Sequence, residues 1–168
     1  MFIDETGADT RMIRRYGWGL KSSRVTDHVP HGHWQSSTFI AALRTTGLCA
    51  PMVLNGAMNG ECFLAWVRQF LAPELRPGDL VVMDNLSCHK QAEVQESLRE
   101  AGAEAFYLPP YSPDLNPIEQ VFSKLKTLLR THAERTKEAL WNRIGTLLGE
   151  FSPDECQNYI RHCGYRAL

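Results

Sequence analysis

The chain lacks any apolar run approaching the roughly eighteen residues that a membrane-crossing helix needs. It has no internal repeat and no low-complexity tract, which sets aside fibrous and disordered classes. Its five cysteines, Cys49, Cys62, Cys88, Cys156 and Cys163, are odd in number and contain no C-x-x-C pair. A disulfide framework and a thiolate zinc site are therefore not expected, and a reducing cytoplasm suits the chain best. The opening MFIDETGADTRMIRR has no basic head followed by an apolar stretch and a cleavage site, so no signal peptide is expected. Charge of one sign is also missing. Eighteen Lys and Arg against nineteen Asp and Glu leave a net −1, a balance that argues weakly against nucleic acid as a partner.

What is present is an ordinary globular composition. The 168 residues are 43% hydrophobic and 22% charged, enough for one domain around one sizeable core. Net charge is an average, whereas contacts are decided by local clusters. Arg11, Arg14, Arg15, Lys21 and Arg24 crowd one early segment, and Lys124, Lys126 and Arg130 line a later one.

Patterning predicts strands first and helices later. Residues 1–5 read as the end of a strand, and 11–18 with 21–29 as a basic hairpin interrupted by Gly17 and Gly19. Ser37 to Leu43 and Ala50 to Leu54 are strand candidates around a turn at Thr46-Gly47. Phe63, Trp66, Val67, Phe70 and Leu71 recur at helical spacing ahead of Pro73. Leu80 to Met83 is a short apolar run suited to a strand buried on both faces. A helix over Lys90 to Ala101 stops at Gly102, and Ala105 to Leu108 is another short strand. After the proline-rich PPYSPDLNP, the stripe Ile118, Val121, Phe122, Leu125, Leu128 and Leu129 predicts a helix. Two more helices follow, the second opened by Ser152-Pro153-Asp154-Glu155, a capping box with proline at the first helical position. The class is α/β with a mixed sheet.

Three acids occupy privileged positions. Asp4 lies in the opening strand, Asp84 follows the LVVM strand, and Glu119 lies in the first turn of a helix. Strand ends and helix starts meet at the rim of an α/β sheet, where sites form. Converging carboxylates repel, by roughly 4 kcal/mol per pair at 4 Å and an effective dielectric near 20, so protons or metal ions must neutralise them. Hard oxygen ligands select Mg²⁺ or Mn²⁺, and a pair of such ions suits phosphodiester chemistry. Each acid also has a plain structural reading. Asp4 is an ordinary strand-end acid, Asp84 begins a turn with Asn85, and Glu119 completes a capping box behind Asn116 as N-cap and Pro117.

The stretches FIDETG, VVMDNLSCHK and LPPYSPDLNPIEQVFSKLK resemble the catalytic core of bacterial insertion-sequence transposases of the mariner superfamily, the DDE superfamily endonucleases. The 34 residues between Asp84 and Glu119 match that family's spacing, and the resemblance extends through WQSSTFIAALR, MNGECFLAWV and ECQNYIRHCGY. It implies a ribonuclease H-like fold, a central mixed β-sheet flanked by α-helices, with residues 1–133 as core and 134–168 as helices packed on it. It implies that Asp4, Asp84 and Glu119 form a metal-binding triad holding two Mg²⁺ or Mn²⁺ ions. The activity implied is cutting of DNA at element ends by water, followed by attack of the freed 3′-hydroxyl on target DNA. Asp4 and Glu5 project to opposite strand faces, so only one can join the site, and the family pattern favours Asp4.

The resemblance also suggests secondary residues. Asn85 and His89 match a D-N-x-x-x-H pattern and would touch a phosphate or orient a ligand, unless His89 merely begins a helix. Tyr111 would stack on a base or simply pack. Lys126 and Arg130 share a helix side with Glu119 where DNA could pass, or a merely solvated face. Arg11, Arg14 and Arg15 are the better candidates for phosphate contacts. His31 and His33, without a third partner, are read as incidental. No recognition helix precedes the core, so a separate helix-turn-helix transposase subunit is an expected partner, along with DNA and further copies of the chain on DNA. The expected location is a bacterial cytoplasm at the nucleoid. The alternatives are a catalytically silent truncated transposase that binds or dimerises, and a general ribonuclease H-like nuclease.

Overall fold

The computed structural model describes residues 1–166; Ala167 and Leu168, which end the expected C-terminal unit, lie outside the described residues. Five strands, β1 (Phe2–Asp9), β2 (Ser36–Arg44), β3 (Gly47–Asn55), β4 (Leu80–Met83) and β5 (Glu104–Tyr107), form one sheet in the order β3-β2-β1-β4-β5. The first three are antiparallel neighbours, whereas β4 runs parallel to β1 and to β5. The sheet is therefore mixed, as the order of strands and helices along the chain predicts.

Alternation along the strands divides the core in two. Phe2, Phe39, Ala41, Leu43 and Val82 face helices α3 (Ile118–His132), α4 (Lys137–Leu147) and α5 (Pro153–His162). Ile3, Ile40, Ala42, Val81 and Met83 face α1 (Gly60–Trp66) and α2 (Ala92–Glu100). Ser37 to Leu43 is buried without a break because β2 lies inside the sheet and is covered on both sides. In β4, Leu80 is exposed and only Val81 to Met83 are buried, so the two-sided burial expected for that strand begins one residue in.

The helices start and stop where side chains can satisfy their ends. Asn59 accepts from the Cys62 N–H at α1, Thr136 from the Ala139 N–H at α4, and Ser152 from the Glu155 N–H at α5. After α1 the chain widens into a π-turn at Val67–Leu71, and a turn containing Pro73 ends the helical stretch. Gly102 closes α2 at φ +76°, with Pro77 so close that a Cβ would sit 3.2 Å from its Cα.

Two expectations are corrected. The opening strand does not stop at residue 5: β1 runs eight residues to Asp9, paired with β2 along its whole length. The basic hairpin at 11–29 does not form, and no strand occurs between β1 and β2. Tyr16, Trp18, Leu20 and Val25, which would have to supply a hairpin's packed face, are all exposed, so nothing offsets the entropy of ordering two extra strands. The loop is anchored at its base, where Arg135 donates to the carbonyls of Thr10 and Met12, both at 3.0 Å.

Helix α3 carries the site's third acid and buries Leu125 against the sheet. Leu125→Ala should lower the free energy of unfolding by about 2–5 kcal/mol, measured by urea denaturation. A loss well below 1 kcal/mol would mean that α3 is not held by this face.

Candidate active site

Asp4, Asp84 and Glu119 line one cleft of about 470 Å³, together with Asn85, Leu86, Leu108, the loop from Pro109 to Pro113, and Asn116. The sheet explains the convergence. Strands β1 and β4 are parallel neighbours, so Asp4 in β1 and Asp84 just beyond β4 reach the same rim. The proline-rich segment after β5 then returns the chain to that rim and starts α3 there. Proline fixes φ and removes alternatives, and a short helical turn at Pro113–Leu115 stiffens the loop further.

Each carboxylate is held differently. Asp4 Oδ1 accepts the Glu5 N–H at 2.8 Å and Asp4 Oδ2 accepts from Asn116 Nδ2 at 3.1 Å. Burial pushes the Asp4 carboxyl up to about 7, helped by the charges of Glu5, Glu119 and Asp84 and opposed by the Glu5 N–H. Asp4 thus feels both of the other cleft acids. Asp84 is half-buried, which by itself would raise its carboxyl; His89 and the Leu86 N–H outweigh that and hold it below the usual range. Glu119 is exposed, and its carboxylate makes no hydrogen bond among the described residues.

The capping box expected at α3 is replaced by a different arrangement. Asn116 is 2% exposed and its side chain points at Asp4 and the Ile3 carbonyl rather than at the helix. Its backbone carbonyl, not its side chain, receives the Glu119 N–H at 3.1 Å. Pro117 takes the cap position with helical backbone angles. Asn116 is thus a site residue that sequence reasoning missed, because an Asn-Pro ahead of a helix is read as a cap. Nothing local says that the amide faces a strand 112 residues away.

His89 is corrected as a phosphate contact, though not as a residue that orients a ligand. It lies in a short helical turn, Ser87–Lys90, and is fully buried, so it has no surface to offer a DNA strand. Its Nδ1 lies 2.6 Å from Asp84 Oδ1 and its Nε2 lies 3.3 Å from Glu5 Oε2. Burial alone would pull this imidazole down, but the two carboxylates push it up to about 10. Glu5 does project away from Asp4, as alternation requires, yet it touches the site through His89.

The remaining candidates are spread over the surface. Asn85 and Tyr111 line the cleft, and Tyr111 is not packed: it is fully exposed, with φ +56°. Lys126 and Arg130 are half-buried on α3, farther along the helix from Glu119 and outside the cleft lining. Arg14 and Arg15 stand exposed in the β1–β2 loop, whereas Arg11 is engaged by Asp9 at 3.3 Å and lies 4.3 Å over the Trp34 ring. His31 and His33 are exposed in the same loop and join no metal-ligating cluster among the described residues.

The donor set in the cleft is carboxylate oxygen, from three segments distant in sequence, with amide and backbone N–H groups holding the outer side of Asp4. Such a set suits a hard divalent cation and can support chemistry on a phosphodiester. The model of the DDE superfamily endonuclease family matches residues 1–140. Among solved structures, the mariner Mos1 paired-end complex with Mg is similar at a TM-score of 0.75 and 17% identity, covering 97% of this chain and 50% of that one. The Mos1 paired-end complex with Mn gives 0.74 and 15%, covering 97% and 51%. The catalytic domain of Mos1 mariner transposase gives 0.62 and 14%, covering 97% and 75%. The fold is thus the ribonuclease H-like one expected, and the chain spans about half the length of the Mos1 chains in the paired-end complexes. No curated protein matches the sequence.

The two upward shifts fix how stability depends on pH in the absence of divalent metal. The folded chain keeps the Asp4 proton up to about 7, whereas the unfolded chain releases it near the ordinary 3.8. Asp4 therefore makes stability fall as pH rises through that window. His89 contributes stability that is complete below its ordinary 6.5 and lost as pH climbs toward about 10. In EDTA, the thermal midpoint should decline from pH 5 to pH 9, and Asp4→Asn should flatten the lower part of the decline. A midpoint that rises across this range would contradict the assignment.

Proposed function

The chain belongs to the DDE superfamily of endonucleases, and from that premise we propose that it is the catalytic half of a DNA transposase. In this reading it cuts DNA at element ends with water and then joins the freed 3′-hydroxyl to target DNA. The observation that carries the proposal is the meeting of Asp4, Asp84 and Glu119 around one cleft at the sheet rim.

Asp4, Asp84 and Glu119 would hold Mg²⁺ or Mn²⁺, two ions per site. Such ions supply Lewis acidity at the scissile phosphate, lower the pKa of an attacking water and offset charge on the leaving oxygen. The residues of the chain do the rest. Asp4, buried between two other acids, is the carboxylate that most needs a countercharge before it gives up its proton. Asn116 holds one Asp4 oxygen and the Glu5 N–H holds the other, so the carboxylate cannot swing away. Asp84 is held on one oxygen, and Glu119, whose carboxylate makes no hydrogen bond among the described residues, can adjust to substrate. The fit is one of chemistry: hard oxygen donors and no competing thiolate line the cleft.

DNA would cross this rim. Tyr111, unpacked at the edge of the cleft, would stack on a base; stacking of this kind is worth about 1–3 kcal/mol. Asn85 would reach a phosphate from the cleft wall. Arg14 and Arg15, with Arg11 at the loop's base and Lys126 and Arg130 along α3, would contact the backbone without reading sequence. Joining two element ends calls for a second copy of the chain on DNA, and recognition of those ends for a helix-turn-helix subunit. Mos1 transposase, whose catalytic domain shares the fold, is seen in a paired-end complex with its left transposon end.

Nicking of element-end DNA in Mg²⁺ should fall by more than ~100-fold in Asp84→Asn, since a direct ligand matters at least as much as its outer partners. Activity indifferent to that change would remove the catalytic assignment, and equal cleavage of an RNA–DNA hybrid without end preference would favour a general nuclease. Replacing Arg14 and Arg15 together with Ala should weaken DNA binding alike across sequences. It should also reduce the slope of log affinity against log salt by about two, measured by fluorescence anisotropy. A loss confined to one sequence would contradict a backbone role.

A further inference from the structure

We propose that His89, anchored by Glu5, is a positioning residue that clamps one oxygen of Asp84 and thereby presents the other to the divalent cation. The proposal rests on the reading of Asp84 as a metal ligand and extends it to two residues, one of which, Glu5, shares no face with the site.

The geometry carries the argument. Asp84 Oδ1 is held from two directions, by the Leu86 N–H at 3.1 Å and by His89 Nδ1 at 2.6 Å. Asp84 Oδ2 accepts no hydrogen bond among the described residues, and Asp84 lines the cleft. A carboxylate fixed in this way loses the rotation that would exchange its oxygens, so one face is reserved for a ligand. Outer partners of metal-bound carboxylates act by this means.

The clamp is itself clamped. The His89 ring has no exposure and lies 4.4 Å from the Phe63 ring, tilted by 37° between planes. Its Nε2 lies 3.3 Å from Glu5 Oε2, and that oxygen too is sealed from solvent. Neither ring nitrogen makes a hydrogen bond, so both contacts are close ion pairs. Among the described residues, His89 is the only basic group in ion-pair contact with any of Asp4, Glu5, Asp84 and Glu119. A sealed carboxylate oxygen such as Glu5 Oε2, on a side chain that is otherwise partly exposed, is costly unless paired. Its place one residue after Asp4, on the opposite strand face, puts it under the helical turn that follows Asp84. The sequence D-N-L-S-C-H closes the loop by folding His89 back beneath Asp84.

Cys88 brings its thiol within 4.8 Å of the Glu5 and His89 donor atoms, so a soft cation at that trio is the competing use of His89 Nε2. The observations favour pairing, because Nε2 already faces the Glu5 carboxylate and Nδ1 is spent on Asp84.

The test is Mn²⁺ binding to the whole chain, followed by electron paramagnetic resonance, with far-UV circular dichroism and thermal unfolding on the same samples. His89→Leu should weaken Mn²⁺ binding by about 10–100-fold at unchanged secondary structure. His89→Gln, whose amide can still donate to Asp84, should recover part of that loss. Glu5→Gln, nearly isosteric and not a ligand, should weaken binding in the same direction. Folded His89→Leu and Glu5→Gln proteins that bind Mn²⁺ as the wild type does would overturn the proposal. If His89→Leu does not fold, Glu5→Gln decides alone by the same criterion. Zn²⁺ retained by the purified chain and lost in Cys88→Ser would also overturn it, since Nε2 would then be a ligand. Wild-type Mn²⁺ binding that disappears in Asp4→Asn marks the parent reading as sound. Its absence would sink both readings, whereas normal binding in the His89 and Glu5 variants would sink only this one.

Discussion

Acids on two neighbouring parallel strands, one within its strand and one just past its end, repel each other wherever water cannot screen them, and a third on an adjoining helix adds to the load. In this chain the strain falls on Asp4, which is the most buried of the three and is pushed up to about 7. Asp84 escapes the same fate because His89 lies 2.6 Å away, while Glu119 stands in solvent and adds its charge to the field at Asp4. The rest of the site follows from this unequal sharing of one electrostatic cost. One carboxylate holds a proton until a cation replaces it, one is clamped, and one stays free to move.

The sheet makes that arrangement stable. β1 is paired along its whole length with β2 and alongside β4, so Asp4 cannot retreat from Asp84. Two apolar faces, one under α3 to α5 and one under α1 and α2, fix the strands against displacement. Burying that much apolar surface is the dominant favourable term in folding, and it is what allows like charges to be held together at the rim. The long loop between β1 and β2 lies outside this bargain. It contributes exposed Arg, Tyr and Trp side chains and little packing, which suits a segment that meets a partner more than one that supports the core.

Much of the layout is legible in the residues. Period-two and helical spacings mark β2 to β5 and all five helices to within a few positions, because burial of one face imposes its period on the sequence. The rim positions of Asp84 and Glu119 follow from where β4 ends and α3 begins, whereas Asp4 lies within β1. Less legible is the stretch at 11–29: its residues tolerate strand geometry, but only a packed neighbour would make them adopt it, and none is there. Asn116 misled for a related reason: it sits in a local pattern with a common local use, a helix cap, while its side chain serves a residue elsewhere in the fold.

By itself, then, the amino-acid order determined the class of fold, the order of β2 to β5 and of the five helices, and the places of Asp84 after a strand and Glu119 at a helix start. Those properties depend on neighbours a few residues apart, where backbone geometry and apolar periodicity act. Tertiary structure alone decided that the Asn116 amide serves Asp4, that Glu5 reaches Asp84 through a sealed imidazole, and that Tyr111 stands unpacked. These are matters of which surfaces meet, and a pairing such as Asn116 with Asp4, 112 residues apart, arises only when packing of the sheet and α3 has set the distance between them.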